Sequence, residues 1–153
     1  MNHPVMVVPA AMEALQTLSK AVGKTGVPFA TLKMVELRAS QINGCSFCVD
    51  MHSRELRKAG ESEERIATVA AWREAPWFSD AERAALALTE ALTRIADRPE
   101  SVTDEIWEAA DKHYDESQLS GLLLEIGGIN VWNRLNAATR QLAGAYEVLP
   151  GGP

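Results

Sequence analysis

Two cysteines and a histidine share the decapeptide NGCSFCVDMH at residues 43–52, and no other stretch of the chain concentrates reactive side chains in this way. Cys45, Cys48 and His52 stand at i, i+3 and i+7, which on a helix is one face. If Gly44 marks the boundary, both thiols fall in the first helical turn. There the free N–H groups and the positive end of the dipole stabilise thiolate, moving a cysteine pKa from about 8.5 into a range of roughly 3.5 to 7.5. A reactive thiol beside a second thiol suits peroxide or disulfide chemistry: one sulfur attacks and becomes sulfenic acid, and the other condenses with it to a disulfide. His52, one turn beyond Cys48, is placed to take the thiol proton or to pass it to a leaving oxygen. These residues alone do not decide which sulfur attacks.

Other readings of the same residues compete with this one. A disulfide closing so short a loop removes little entropy from the unfolded chain, so a purely structural staple is disfavoured. Zinc is the serious rival, with Cys45, Cys48 and His52 as three ligands and Glu36 or water as the fourth. Structural zinc sites usually carry a second ligand pair, and neither His3 nor His113 lies at useful spacing from another ligand type. The balance favours thiol chemistry. Haem attachment is excluded because Val49, not histidine, follows Cys48. A non-enzymatic sensing or interaction module would use the cysteines only as small buried hydrophobes. A glycine-started helix with His52 on the same face weighs against that.

The elements that must position these groups read as helical throughout. A first helix spans about 9–20 from Pro9, and Gly23 and Gly26 end it. A second runs from about 28 to 42 with Phe29, Leu32, Val35, Ala39 and Ile42 as its apolar stripe. Glu36 lies close to that stripe, and pattern alone favours a solvated helix charge for it. A third helix runs from Cys45 to about Ala59, closed by Lys58 and Gly60. Ser62 caps a fourth, and Ser79 opens a fifth, to about Ala96, with a capping box. Thr103 caps a sixth to about Tyr114. The last helix spans roughly 118–143. Its Gly121, Gly127 and Gly128 cost about 1 kcal/mol each relative to alanine, which points to close approach of another helix or subunit. Residues 144–153 read as a tail.

His3 is expected in a mobile terminus and His113 at a helix end. Trp72 and Trp77 flank a proline loop and are read as packing residues. Asn130, Trp132, Asn133 and Arg134 are read as one polar face of an ordinary helix. Composition fits a soluble globular protein: 153 residues, 46% apolar and 24% charged. That length predicts one domain over residues 1–153, and the helical periodicity makes it all-α. A net charge of −6 argues against nucleic acid and anionic membrane surfaces as partners. The N-terminus has no signal-peptide pattern and no apolar stretch reaches transmembrane length, so a reducing cytoplasm is expected.

The segment MVELRASQINGCSFCVDMHSRELRKAGES resembles the core of the AhpD-like alkylhydroperoxidase family, related to carboxymuconolactone decarboxylases. AWREAPWFSDAERAALALTEALT and GGINVWNRLNAATR are similar to its flanking helices, so the resemblance covers about 25–142. It implies an all-α fold of about six to seven helices with Cys-x-x-Cys at a helix N-terminus. It implies that Cys48 attacks a hydroperoxide, that Cys45 resolves, and that His52 and Glu36 relay protons. No metal or organic cofactor is implied. The implied partners are a small-molecule hydroperoxide, an external dithiol or disulfide reductase, and further copies of the chain in a trimer or hexamer. Two departures stand out: Phe47 occupies the place of a histidine in the founding peroxidase, and that enzyme's glutamate lies further upstream of the cysteines than Glu36. The decarboxylase branch generally lacks the cysteine pair, so that activity is not expected.

Overall fold

The computed structural model describes residues 1–145, and the end of the expected tail lies outside them. Eight α-helices make up the described residues, with no strand among them. They are α1 (Pro4–Val7), α2 (Pro9–Val22), α3 (Phe29–Asn43), α4 (Ser46–Lys58), α5 (Glu63–Thr68), α6 (Asp80–Thr93), α7 (Asp104–Asp111) and α8 (Glu116–Ala138). Short 3₁₀ turns follow α5 and α6.

α3 is the central element and packs against α4, α6 and α8. Its Leu32 and Val35 meet Val22 of α2, Leu88 of α6, and Leu122 and Ile126 of α8 in one apolar cluster. Met34 and Leu37 turn to the other side, against Leu56, Ile66, Val69, Trp72 and Leu86. Each fully buried leucine of this kind contributes about 1.5–3 kcal/mol relative to an exposed one. The middle of α3 is therefore covered on most of its surface, and polar groups there such as Glu36 and Ser40 are buried whatever the period suggests.

Local signals account for most boundaries. Side chains of Ser62, Ser79 and Asp115 accept from backbone N–H groups three residues on, and Ser79–Glu82 and Asp115–Gln118 complete reciprocal capping boxes. α3 ends where Gly44 turns left-handed at φ 69°, a conformation glycine adopts without a Cβ penalty. α8 differs from expectation at both ends. The Asp115 box starts it earlier than residue 118. It stops at Ala138 because Arg140 turns left-handed at φ 56°, a stop that no glycine announces. α1 was not expected at all. Pro4 at its first position and the His3 side chain, which accepts from the Val5 N–H, form it.

Of the three glycines in α8, Gly121 alone is a tight approach. A Cβ there would overlap the Thr25 side chain, whereas Gly127 has open space beside it. No helix among the described residues is long and apolar enough to cross a membrane.

Candidate active site

The turn at Gly44 delivers the chain directly from α3 into α4. Cys45 becomes the N-cap of α4, its sulfur accepting from the Cys48 N–H at 3.3 Å, and Cys48 sits in the first turn. The two Cα atoms are 5.4 Å apart and the sulfurs are joined as a disulfide. Both residues are buried, with Phe47, Met51 and Ala145 around them. With the sulfurs bonded to each other, the four-ligand zinc arrangement of Cys45, Cys48, His52 and Glu36 is not formed in this state.

His52 lies one turn beyond Cys48 and is 2% exposed. Its Nδ1 is 2.9 Å from Glu55 Oε2 and 3.4 Å from Glu36 Oε2. An imidazole nitrogen facing two carboxylates carries the N–H, so in the neutral ring Nε2 is the basic nitrogen. Nε2 is buried and has no hydrogen-bond partner among the described residues. A base oriented through one nitrogen by a carboxylate, with the other nitrogen free, is the arrangement that activates a nucleophile in many covalent enzymes.

Glu36 is 8% exposed, which corrects the reading of a solvated helix charge. It faces inward because α4 and α8 pack against this part of α3. Lys33, one turn earlier, places its ammonium 2.6 Å from Glu36 and 3.4 Å from Glu55. Across the interface Glu125 of α8 shares a hydrogen bond with Glu36. Burial alone would raise Glu36, but His52, the Glu125 hydrogen bond and Lys33 together hold it below the ordinary carboxyl value. Burial pushes Glu125 up to about 9, aided by its hydrogen bond to Glu36 and by that group's negative charge. Glu125 is thus the protonated partner and donates to the Glu36 carboxylate. Burial works against ionised Glu55 as well, yet His52 and Lys33 hold it below its ordinary value. Lys33 is held above its own despite burial, by Glu36 and Glu55.

The cluster can hold, share and release a proton within one turn of the cysteine pair. Glu36, His52 and Glu55 also bring ligand atoms within 4.8 Å of one another. The Lys33 ammonium already stands between the two carboxylates and supplies the positive charge there. A narrow cleft between α2 and α8 reaches Glu36 and Glu125, lined otherwise by Leu15, Leu18, Ser19, Leu124, Gly128, Ile129 and Trp132.

The structure thus gathers Cys45, Cys48, His52 and Glu36, the four residues singled out in the sequence. It adds Lys33, Glu55 and Glu125, which sequence reasoning missed. Lys33 and Glu55 were within reach, at i−3 from Glu36 and i+3 from His52. Glu125 left one signal, a lone carboxylate in the apolar run LLLEIGGI. Two expectations for α8 and the terminus are corrected. Asn133 is 2% exposed and bonds Ser40 and Asn43 of α3, so this stretch is not one solvated polar face. His3 is fixed rather than mobile, bonding Asn136 and stacking on Trp132. His113 follows α7 and is exposed. Trp72 packs in the core as expected, while Trp77 is about half exposed.

Residues 9–91 match the model of the carboxymuconolactone decarboxylase family. The uncharacterized protein YdfG of Bacillus subtilis is 39% identical over 132 residues, covering 86% of this chain and 88% of that one. Alkyl hydroperoxide reductase AhpD of Bradyrhizobium diazoefficiens is 43% identical over 47 residues, 31% of this chain and 26% of AhpD. A crystal structure from Agrobacterium tumefaciens superposes with a TM-score of 0.85 at 35% identity, covering 94% of this chain and 96% of that one. That protein is described as of unknown function and as a candidate antioxidant defence protein AhpD.

Proposed function

The chain belongs to the carboxymuconolactone decarboxylase family, with the AhpD-like fold, and on that premise we propose that it is a thiol-dependent peroxidase acting on hydroperoxides. Cys48 attacks, Cys45 resolves, and His52 with Glu36 moves the protons. The observation that carries this reading is the buried, unpartnered Nε2 of His52, one turn from a cysteine pair that closes on itself at a helix start.

His52 Nε2 takes the Cys48 thiol proton. The thiolate attacks the outer oxygen of ROOH, the O–O bond breaks, and Cys48 becomes sulfenic acid. The departing RO⁻ takes the proton back from His52 and leaves as ROH. The Cys45 thiol then condenses with the sulfenic acid, forming the disulfide and releasing water. Glu55 and Glu36 hold the imidazole by Nδ1 and stabilise its charged form while it carries the proton. The Glu36–Glu125 pair holds a shared proton beside it. No metal or organic cofactor enters the cycle, and an external dithiol or disulfide reductase returns the pair to thiols. Leu123, Leu124 and Val131 lie exposed on α8 beside open Gly127, which supports a homo-oligomer as the working form, a trimer or hexamer by resemblance to the family.

The test is intact mass of the reduced, metal-free protein before and after one equivalent of organic hydroperoxide, with peroxide loss followed alongside. Loss of two hydrogens with matching peroxide consumption is expected. An unchanged mass with both thiols slow to alkylate would reject the reading and make zinc content the next measurement.

A further inference from the structure

A hydrogen-bond chain reaches the cysteine pair from α8 and the N-terminus. Asn136 lies in the last turn of α8 and is 5% exposed. Its Nδ2 donates to Cys48 Sγ at 3.2 Å, a buried contact. Its Oδ1 is 3.1 Å from His3 Nε2. The His3 Nδ1 in turn accepts from the Val5 N–H at 3.4 Å, and the His3 ring stacks on Trp132 with centroids 5.9 Å apart. Trp132 precedes Asn136 by one helical turn and so presents the same face of α8.

Each link fixes the direction of the next. A backbone N–H has only one polarity, so Nδ1 of His3 must be an acceptor. The neutral ring then carries its hydrogen on Nε2 and donates to Asn136 Oδ1. That leaves the Asn136 amide N–H₂ facing sulfur. The reversed amide would set N–H₂ against another N–H and an oxygen against sulfur lone pairs. The order runs from Val5 N–H through His3 and Asn136 to Cys48 Sγ.

We infer that Asn136, oriented by His3, is a positioning residue for Cys48: it donates to the sulfur and stabilises the thiolate form of that cysteine in the reduced protein. This rests on the proposed role of Cys48 as the attacking thiol. Cys48 sits with Cys45, Phe47, Met51 and Ala145 in an apolar cluster, and apolar surroundings oppose thiolate formation. A donor fixed by the fold offsets that opposition. The titratable groups on this sulfur's surroundings are Cys45 and His52 on its own helix and, through Asn136, His3; Glu36, Glu55 and Lys33 act by way of His52. Cys45 Sγ takes its N–H from the backbone of Cys48 itself. Among the described residues, the Cys48 sulfur alone receives a donor from another helix, and this distinguishes two cysteines that spacing left equivalent.

The test uses the Cys45→Ser chain, in which Cys48 is the sole thiol and serine retains a capping oxygen. Thiolate absorbance at 240 nm is followed against pH, with the iodoacetamide alkylation rate at pH 7. Asn136→Leu, of similar size without a donor, is expected to move the titration to higher pH and slow neutral-pH alkylation roughly tenfold. His3→Phe keeps a ring against Trp132 and is expected to shift both in the same direction by less. An unchanged titration in folded Asn136→Leu overturns the inference. Where circular dichroism shows that variant unfolded, His3→Phe decides: a shift upward supports the assignment and none overturns it. Wild-type consumption of cumene hydroperoxide is measured separately, so failure of the peroxidase reading is told apart from failure of the hydrogen bond.

Discussion

Glu36 on the central helix and Glu90 packed against it are both buried glutamates, 8% and 6% exposed, and they are furnished in opposite ways. Glu90 of α6 accepts from Arg38 Nε at 2.7 Å, from Trp72 Nε1 at 3.0 Å and from Arg73. Burial opposes its charge, but those donors hold it below the ordinary carboxyl value. None of the donors can take up or release a proton at accessible pH. Glu36 faces a lysine, a histidine and a second carboxylate, every one of them titratable. Arg38 and Glu36 stand two residues apart and so on opposite sides of α3. One side of the helix is a fixed clamp and the other is built to exchange protons. A buried carboxylate becomes chemistry or structure according to whether its partners can titrate.

The most severe way to test that contrast is to remove the proposed nucleophile. Cys48→Ser should abolish hydroperoxide consumption with the fold retained, and steady turnover in that variant would reject the assignment of roles. His52→Gln should lower kcat/KM for hydroperoxide by about 10²-fold, the usual scale for losing a positioned acid–base group. Glu90→Gln serves as its counterpart and should leave peroxide turnover near wild type. A comparable loss there, at unchanged melting temperature, would break the comparison. Glu90→Leu strands the buried Arg38 guanidinium, which should cost about 3 kcal/mol and lower the melting temperature by roughly 10 °C, read by calorimetry.

A dependence on pH sharpens the contrast most. Between the ordinary carboxyl value of 4.5 and about 9, Glu125 keeps its proton when folded and loses it when unfolded. The unfolded chain therefore binds fewer protons across that window, and stability falls as pH rises through it. The drop in melting temperature from pH 6 to pH 9 should be larger in wild type than in Glu125→Gln, which keeps a hydrogen-bond donor and cannot ionise. Equal slopes would mean that Glu125 is already ionised in the fold.

Much of this was legible before any coordinates, and what was missed has a physical pattern. Helix starts at Ser62 and Ser79 were readable because a cap is a local interaction spanning three residues. Cys45, Cys48 and His52 were readable because one helix carries all three. Glu36 was misjudged because its burial depends on α4 and α8 closing over α3, which no window on α3 contains. Asn133 and Glu125 escaped for the same reason, their partners lying on α3, 93 positions away in the case of Asn133 and Ser40. His3 was placed in a mobile terminus because its anchor, Asn136, lies 133 positions along the chain. The distinction between Gly121 and Gly127 likewise needs Thr25, which the helix itself does not announce.

The joint at Gly44 sets how this site tolerates insertion and deletion. α3 ends at Asn43, Gly44 makes the turn, and Cys45 already caps α4, so no slack separates the two helices. One residue added after Cys45 and before Cys48 would rotate everything beyond it by about 100° and carry His52 off the face that meets Glu36. A length change elsewhere, in the loop between α5 and α6 for instance, leaves that geometry alone. The stretch from Glu36 to His52 is thus the part of the chain whose length sets the site, while the loops and the cleft lining near Trp132 can change without moving it.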